Sequence, residues 1–156
     1  MLDAAARVLA LLEASGLTVA AAESLTGGQL VAELVAVPGA SRVVRGGVVA
    51  YATDLKASLL GVDAALLAER GAIDAAVAEQ MAEGVCLRLG ADLGVATTGV
   101  AGPDPQDGHE PGTVHVAVHR VGRGTHTEAH AFGGDRAAVR TATVHAALAL
   151  LEDAVR

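Results

Sequence analysis

Cysteine, lysine and large aromatic side chains are nearly missing from this sequence, and each shortage excludes something. Of the 156 residues one is cysteine, one tyrosine, one phenylalanine and none tryptophan. A lone Cys86 cannot close an intramolecular disulfide, which fits a reducing compartment. With so few rings, the core must be assembled from Val, Leu and Ala in close-packed layers. The net charge is −7 and no basic stripe is present, so nucleic acid is not an expected partner. No apolar run approaches the roughly 20 residues that a membrane helix needs, so no membrane partner is expected either. The opening MLDAAARVLALLEASG carries Asp3, Arg7 and Glu13 at helical intervals, without the basic start and unbroken apolar centre of a secretory leader. The expectation is a soluble, cytoplasmic protein with one domain over residues 1–156, long enough to bury a real core.

What is present alternates between two periodicities. Leu2, Val8, Leu9, Leu11 and Leu12 make one stripe, which predicts an amphipathic helix over 2–14 ended by Gly16. LTVAAAE (17–23) reads as a buried strand, GGQLVAELVAV (27–37) as a helix stopped by Pro38-Gly39, and RVVRGGVVAYA (42–52) as a second strand. DLKASLLG predicts a short helical turn with Asp54 as its cap and Gly61 as its stop. Asp63 and Asp74 are placed to cap two further helices, with Gly71 and Gly90 beyond their ends. Residues 91–102 read as a strand running into a small-residue loop, and 104–112 as an exposed loop. Residues 113–121 and 125–133 alternate around Gly122-Arg123-Gly124, the pattern of a hairpin. A two-residue turn there would pair His119 with His126 and His115 with His130 on one face, with Val114, Val116 and Val118 toward the core. Those pairs are too far apart along the strands for one metal site. Asp135 then caps the last helix. Together these elements predict an α/β fold, a three-layer α/β/α sandwich with a mixed, mainly parallel sheet of about five strands.

Three stretches could carry chemistry. Glu23-Ser24-Leu25-Thr26-Gly27-Gly28 turns from a strand into a helix, where small residues and free N–H groups can receive an anion or a developing oxyanion. The plainer alternative is a helix cap with turn-forming glycines. Ser41 lies in VPGAS with no helical stripe to explain it, although a loop serine is ordinary. Tyr51 ends an apolar strand, and Lys56 follows five residues later. Lys56 is the only lysine among eleven basic residues. A lone lysine is usually solvated surface, yet of the two basic types only lysine readily loses its proton when desolvated. Thr98, Gly99 and Gly102 of TTGVAGP follow a strand and can lie against a ligand at its carboxyl end. Arg136 and Arg140 stand one turn apart near a helix start, which suits a phosphate as well as a solvated face.

AESLTGG, YATDLKASLLGV, GAIDAAVAEQMAEG, TTGVAGP, PGTV and FGGDRAAVR occur here in order. In that order the chain resembles the CinA C-terminal domain family, the nicotinamide mononucleotide amidases, over roughly Val8 to Leu151. The resemblance implies a stand-alone form lacking the molybdopterin-binding-like domain of longer members, and a homodimer or higher homo-oligomer. It implies hydrolysis of a nucleotide carboxamide to the acid and ammonia by a Ser/Lys dyad, in pyridine nucleotide salvage. The alternative is a catalytically silent nucleotide-binding module of the same fold. Lys56 matches the base, Tyr51 its neighbour, and both Ser41 and Ser24 match family serines. The expectation taken from the resemblance is Ser41 as nucleophile, with Ser24 assisting or binding substrate. Glu23, Thr26, Gly27, Gly28, Thr98, Gly99, Gly102, Arg136 and Arg140 are the expected substrate-binding residues. The chemistry calls for no metal or cofactor, and no Cys/His cluster has zinc-site spacing. The loop DPQDGHEP departs from the Gly-Gly and Lys-Pro pattern usual in the family.

Overall fold

The computed structural model describes residues Met1–Arg156. Its five strands are β1 (Val19–Glu23), β2 (Val44–Val49), β3 (Leu93–Gly99), β4 (Thr113–Arg120) and β5 (Gly124–Ala131). They form one sheet in the order β2-β1-β3-β4-β5. β1 runs parallel to both β2 and β3, while β4 is antiparallel to β3 and to β5. Only β4 therefore points against the rest, and the sheet is mixed as the alternation of elements predicts. The helices are α1 (Leu2–Ser15), α2 (Gln29–Val35), α3 (Thr53–Leu60), α4 (Ala64–Arg70), α5 (Ala75–Leu89) and α6 (Arg136–Val155).

The two sheet faces are built from different residues, and this sets how close the helices come. Toward α1, α2 and α6 the strands present Val19, Ala21, Leu93, Val95, Val114, Val116 and Val118, which pack against Val8, Leu12, Leu30, Leu34, Leu148 and Leu151. Toward α5 they present Ala20, Ala22, Ala96 and Ala117, meeting Val77, Met81 and Val85. A Cβ on Gly94 of β3 would collide with the Ala82 carbonyl, and one on Gly84 of α5 with the Leu60 carbonyl. Small residues thus let α5 lie almost against backbone, which supplies the packing density that absent aromatics would otherwise provide.

The helix limits follow the punctuation in the sequence. Asp63, Asp74 and Asp135 each accept a backbone N–H at the start of α4, α5 and α6, worth about 1 kcal/mol apiece. Gly16, Gly61 and Gly90 close α1, α3 and α5 in the left-handed conformation. Asp54 differs from its expectation: it sits in the first turn of α3, whose N-cap is Ala52 with no side-chain bond.

The hairpin differs in register. Its loop holds three residues between Arg120 and Gly124, so His119 pairs with Thr125, Val118 with His126, His115 with Ala129 and Val114 with His130. A one-residue slip moves a whole strand's side chains to the other face. His115 and His119 therefore lie on one face, and His126 and His130 lie on the face of Val114 and Val118. His130 stacks on Phe132 with ring centroids 4.9 Å apart. No helix of the structure is long and apolar enough to cross a membrane.

Candidate active site

The chain passes from β1 to β2 on one side and later returns to β3 on the other, so β1 and β3 separate at their carboxyl ends. Open α/β sheets bind ligands at such a switch point. Here the separation opens a cavity of about 410 Å³, within the range of small-molecule sites. Its walls are Ser24 and Leu25 after β1, Tyr51 and Lys56, Ala72 and Ile73, the run Gly99–Gln106 after β3, and Arg136.

Lys56 lies on α3 and is buried to 1% exposure. Its Nζ donates to Ser24 Oγ at 2.9 Å, to the Ala50 carbonyl at 2.8 Å and to the Tyr51 carbonyl at 3.3 Å. Three acceptors surround one amine, and none carries a full charge. Burial accordingly lowers the Lys56 pKa from 10.5 to about 8, with the Asp107 carboxylate opposing the shift. When Lys56 is neutral, its two N–H bonds can stay on the carbonyls of Ala50 and Tyr51. Its lone pair then faces Ser24 Oγ, the geometry of a base beside a nucleophile.

Ser24 is held by its neighbours. Its N–H donates to the Thr97 carbonyl at 3.1 Å and its carbonyl receives Gly27 N–H at 3.1 Å. Thr26 and Thr97 hydroxyls bond across the turn at 2.8 Å. Arg140 straps the same turn from α6, its guanidinium donating to the carbonyls of Leu25 and Thr26, each at 2.9 Å. The N–H groups of Leu25 and Thr26, directly after Ser24, donate to nothing within the chain. Gly27 and Gly28 both take positive φ, 58° and 99°, which explains their identity.

Several expected residues serve the frame and do not line the cavity. The Glu23 carboxylate is fully buried and receives the N–H groups of Gly28, Leu30 and Val31 at 2.9–3.1 Å. It caps α2 from the preceding strand, and so leaves those amides nothing to offer a ligand. Thr98 bonds to the Ala72 carbonyl at 2.7 Å. Thr26, Gly27 and Gly28 form the turn itself and Arg140 braces it, and none of the four lines the cavity. Gly99 and Gly102 do line the cavity, as does Arg136, which donates to the Gly102 carbonyl at 2.7 Å and to Tyr51 Oη at 3.0 Å. Tyr51 lines the cavity and is 59% exposed, so it stands where the cavity meets solvent.

The structure does not bring Ser41, expected as nucleophile, into the cavity with Lys56. It lies exposed in the short 3-10 turn Ala40–Arg42 and borders a separate cleft with Pro38, Val44 and Arg45. The helix and Pro-Gly loop that precede it carry it toward the start of β2, whereas Lys56 follows the end of that strand. No hydrogen bond links Ser41 to Lys56, and the structure brings Ser24 there instead. Sequence reasoning also missed the wall made by Ala72 and Ile73 and the cavity-lining Asp104 and Gln106. Asp104 and Gln106 were signalled only by their loop's departure from pattern, whereas Ala72 and Ile73 lie in the motif GAIDAAVAEQMAEG. No group of three or more His, Cys, Asp or Glu is placed to hold a metal ion.

The sequence model of the CinA C-terminal domain matches residues 2–155. A CinA-like protein of Frankia casuarinae is 51% identical over 144 residues, covering 92% of this chain and 33% of the relative. One from Anaeromyxobacter dehalogenans is 49% identical over 150 residues, covering 96% and 36%. The chain thus spans about a third of the length of the curated relatives it matches. Among solved structures, a CinA superfamily protein from Klebsiella pneumoniae superposes with a TM-score of 0.94 at 34% identity, covering 99% of this chain and 96% of that one. A competence/damage inducible protein from Agrobacterium tumefaciens gives 0.94 at 35%, covering 99% and 94%.

Proposed function

This chain belongs to the CinA C-terminal domain family, and on that premise we propose that it hydrolyses the carboxamide of nicotinamide mononucleotide to the carboxylate and ammonia. The observation that carries the reading is the 2.9 Å bond between Ser24 Oγ and a buried Lys56 whose pKa falls to about 8. A binding module has no use for a depressed lysine aimed at a serine, whereas an amidase needs both.

In the proposed reaction neutral Lys56 takes the Ser24 hydroxyl proton as Oγ bonds to the carboxamide carbon. The carbonyl oxygen becomes an oxyanion, and the unpartnered N–H of Leu25, a residue that lines the cavity directly after Ser24, is the donor nearest in sequence to receive it. Protonated Lys56 passes its proton to the amide nitrogen, the C–N bond breaks and ammonia leaves. Water then attacks the ester carbon while Lys56 accepts a water proton. The bond to Oγ breaks, and Lys56 returns that proton to Ser24. Arg136, beside Tyr51 at the mouth, is the cation available to a substrate phosphate.

The test is incubation of the purified protein with nicotinamide mononucleotide and, separately, with nicotinamide. Release of ammonia with formation of nicotinic acid mononucleotide, much faster than from nicotinamide, is the expected result. Binding of the nucleotide without any ammonia refutes the amidase and leaves a binding module.

A further inference from the structure

The cavity wall that follows β3 keeps two of its amides unspent. Val100 is tied to the start of β4 on both sides, its N–H donating to the Thr113 carbonyl at 2.9 Å and its carbonyl receiving Gly112 N–H at 2.7 Å. The Gly102 carbonyl receives Arg136 Nη1 at 2.7 Å. Ala101 and Gly102, held between these bonds, are both buried and both line the cavity. Their own N–H groups donate to nothing within the chain. Buried backbone N–H groups are paired in more than about nine cases in ten. Two adjacent exceptions call for an acceptor from outside the chain, and the space these residues border is the cavity.

The local backbone and the neighbouring charges indicate which acceptor. Gly102 takes a φ of 85° and Ala101 does not take a positive one, the sign change found where successive amides make a nest for an anion. Arg136 stands beside them. Of its five N–H donors it spends one on the Gly102 carbonyl and one on Tyr51 Oη, and so keeps three for a ligand. Asp104 is the one carboxylate among the lining residues, and it is exposed, so water weakens its repulsion of an anion. Two N–H groups and a guanidinium suit the several oxygens of a phosphate better than a single carbonyl oxygen. Ser24 bonds to Thr97, so the reacting carbon belongs at the β3 end and the anion farther along the loop, toward Tyr51 and solvent. We infer that the N–H groups of Ala101 and Gly102, together with Arg136, form a subsite for a phosphate monoester, the group that separates a nucleotide from its free base. The inference rests on the amidase reading for the identity of the whole substrate, though not for the anion itself.

Ala101-Gly102 is the only Ala-Gly step in the sequence. Protein labelled with 13C at alanine carbonyls and 15N at glycine amides therefore gives one signal in a carbonyl-correlated amide spectrum, that of the Gly102 N–H. Titrating the wild type with ribose 5-phosphate should move this proton downfield to saturation, and inorganic phosphate should move it the same way. At about ten times Kd, exchange of the Gly102 amide with solvent should slow about tenfold, because it is open only in the unbound fraction. Ribose at the same concentrations should change neither reading. A signal that ribose 5-phosphate leaves in place, or that ribose moves equally, overturns the inference. So does a shift with exchange unchanged, since Arg136 then holds the anion without the amide. Should nicotinamide mononucleotide release no ammonia while Gly102 responds to ribose 5-phosphate, the amidase reading fails and the subsite stands.

Discussion

Replacing Lys56 by methionine isolates the energetic cost of the base. A lysine pKa lowered from 10.5 to about 8 means that burying the charged amine costs about 3 kcal/mol, at 1.36 kcal/mol per pH unit. The sign follows from proton counting. Between about pH 8 and 10.5 the unfolded chain keeps the Lys56 proton while the native protein has lost it, so native stability rises with pH across that window. Below about pH 8 both states hold the proton, and the cost is at its full, constant value. Methionine is close in length and carries no charge. Its three lost hydrogen bonds offset part of the gain by a fixed amount, but they do not alter the pH slope. Urea unfolding of both proteins at a series of pH values should therefore show the wild type gaining about 3 kcal/mol relative to Lys56→Met between about pH 7 and 10.5. The same titration governs the reaction. About a tenth of Lys56 is neutral at pH 7, so kcat/KM should climb about tenfold to a plateau above about pH 9. A stability difference that stays flat with pH, or a lysine signal titrating near 10.5, would refute the depressed base.

Glu23→Ala should cost about 3 kcal/mol in urea unfolding, because it strands three N–H groups at the start of α2, while Glu23→Gln should cost less; equal costs would contradict the capping role. Gly84→Ala should destabilise by about 2 kcal/mol or more, since the new methyl meets the Leu60 carbonyl and must push α5 from α3. A thermal midpoint unchanged by that substitution would show that the contact relaxes freely. Arg136→Ala should raise KM for the mononucleotide about tenfold, equivalent to about 1.4 kcal/mol, and leave any hydrolysis of free nicotinamide nearly unchanged. Equal losses on both substrates would assign Arg136 to holding Tyr51 and Gly102 alone.

The layers of this fold were legible because its punctuation is local. Asp63, Asp74 and Asp135 cap helices where they stand in the sequence, and Gly16, Gly61 and Gly90 end them. The lone lysine was legible for a chemical reason. Position in space was not. Ser24 and Ser41 precede Lys56 by 32 and 15 residues, and nothing in spacing says that the farther one returns to it. That return depends on β1 and β2 lying parallel, so that the ends of both strands meet at one edge of the sheet. Ser41 sits at the opposite end of β2. The histidine pairing failed for a smaller cause, one residue more in the hairpin loop than a two-residue turn allows. Glu23, read as a ligand for substrate, proved to be a helix cap reaching five to eight residues ahead, beyond the usual capping distance.

The most direct test of the central claim is ammonia release from nicotinamide mononucleotide by the wild type beside Ser24→Ala, Lys56→Ala and Ser41→Ala. Loss of the nucleophile or its base should reduce kcat by about a thousandfold or more, while Ser41→Ala, altered at an exposed turn outside the cavity, should keep nearly the full rate. An inactive Ser41→Ala beside an active Ser24→Ala would contradict the Ser24–Lys56 dyad.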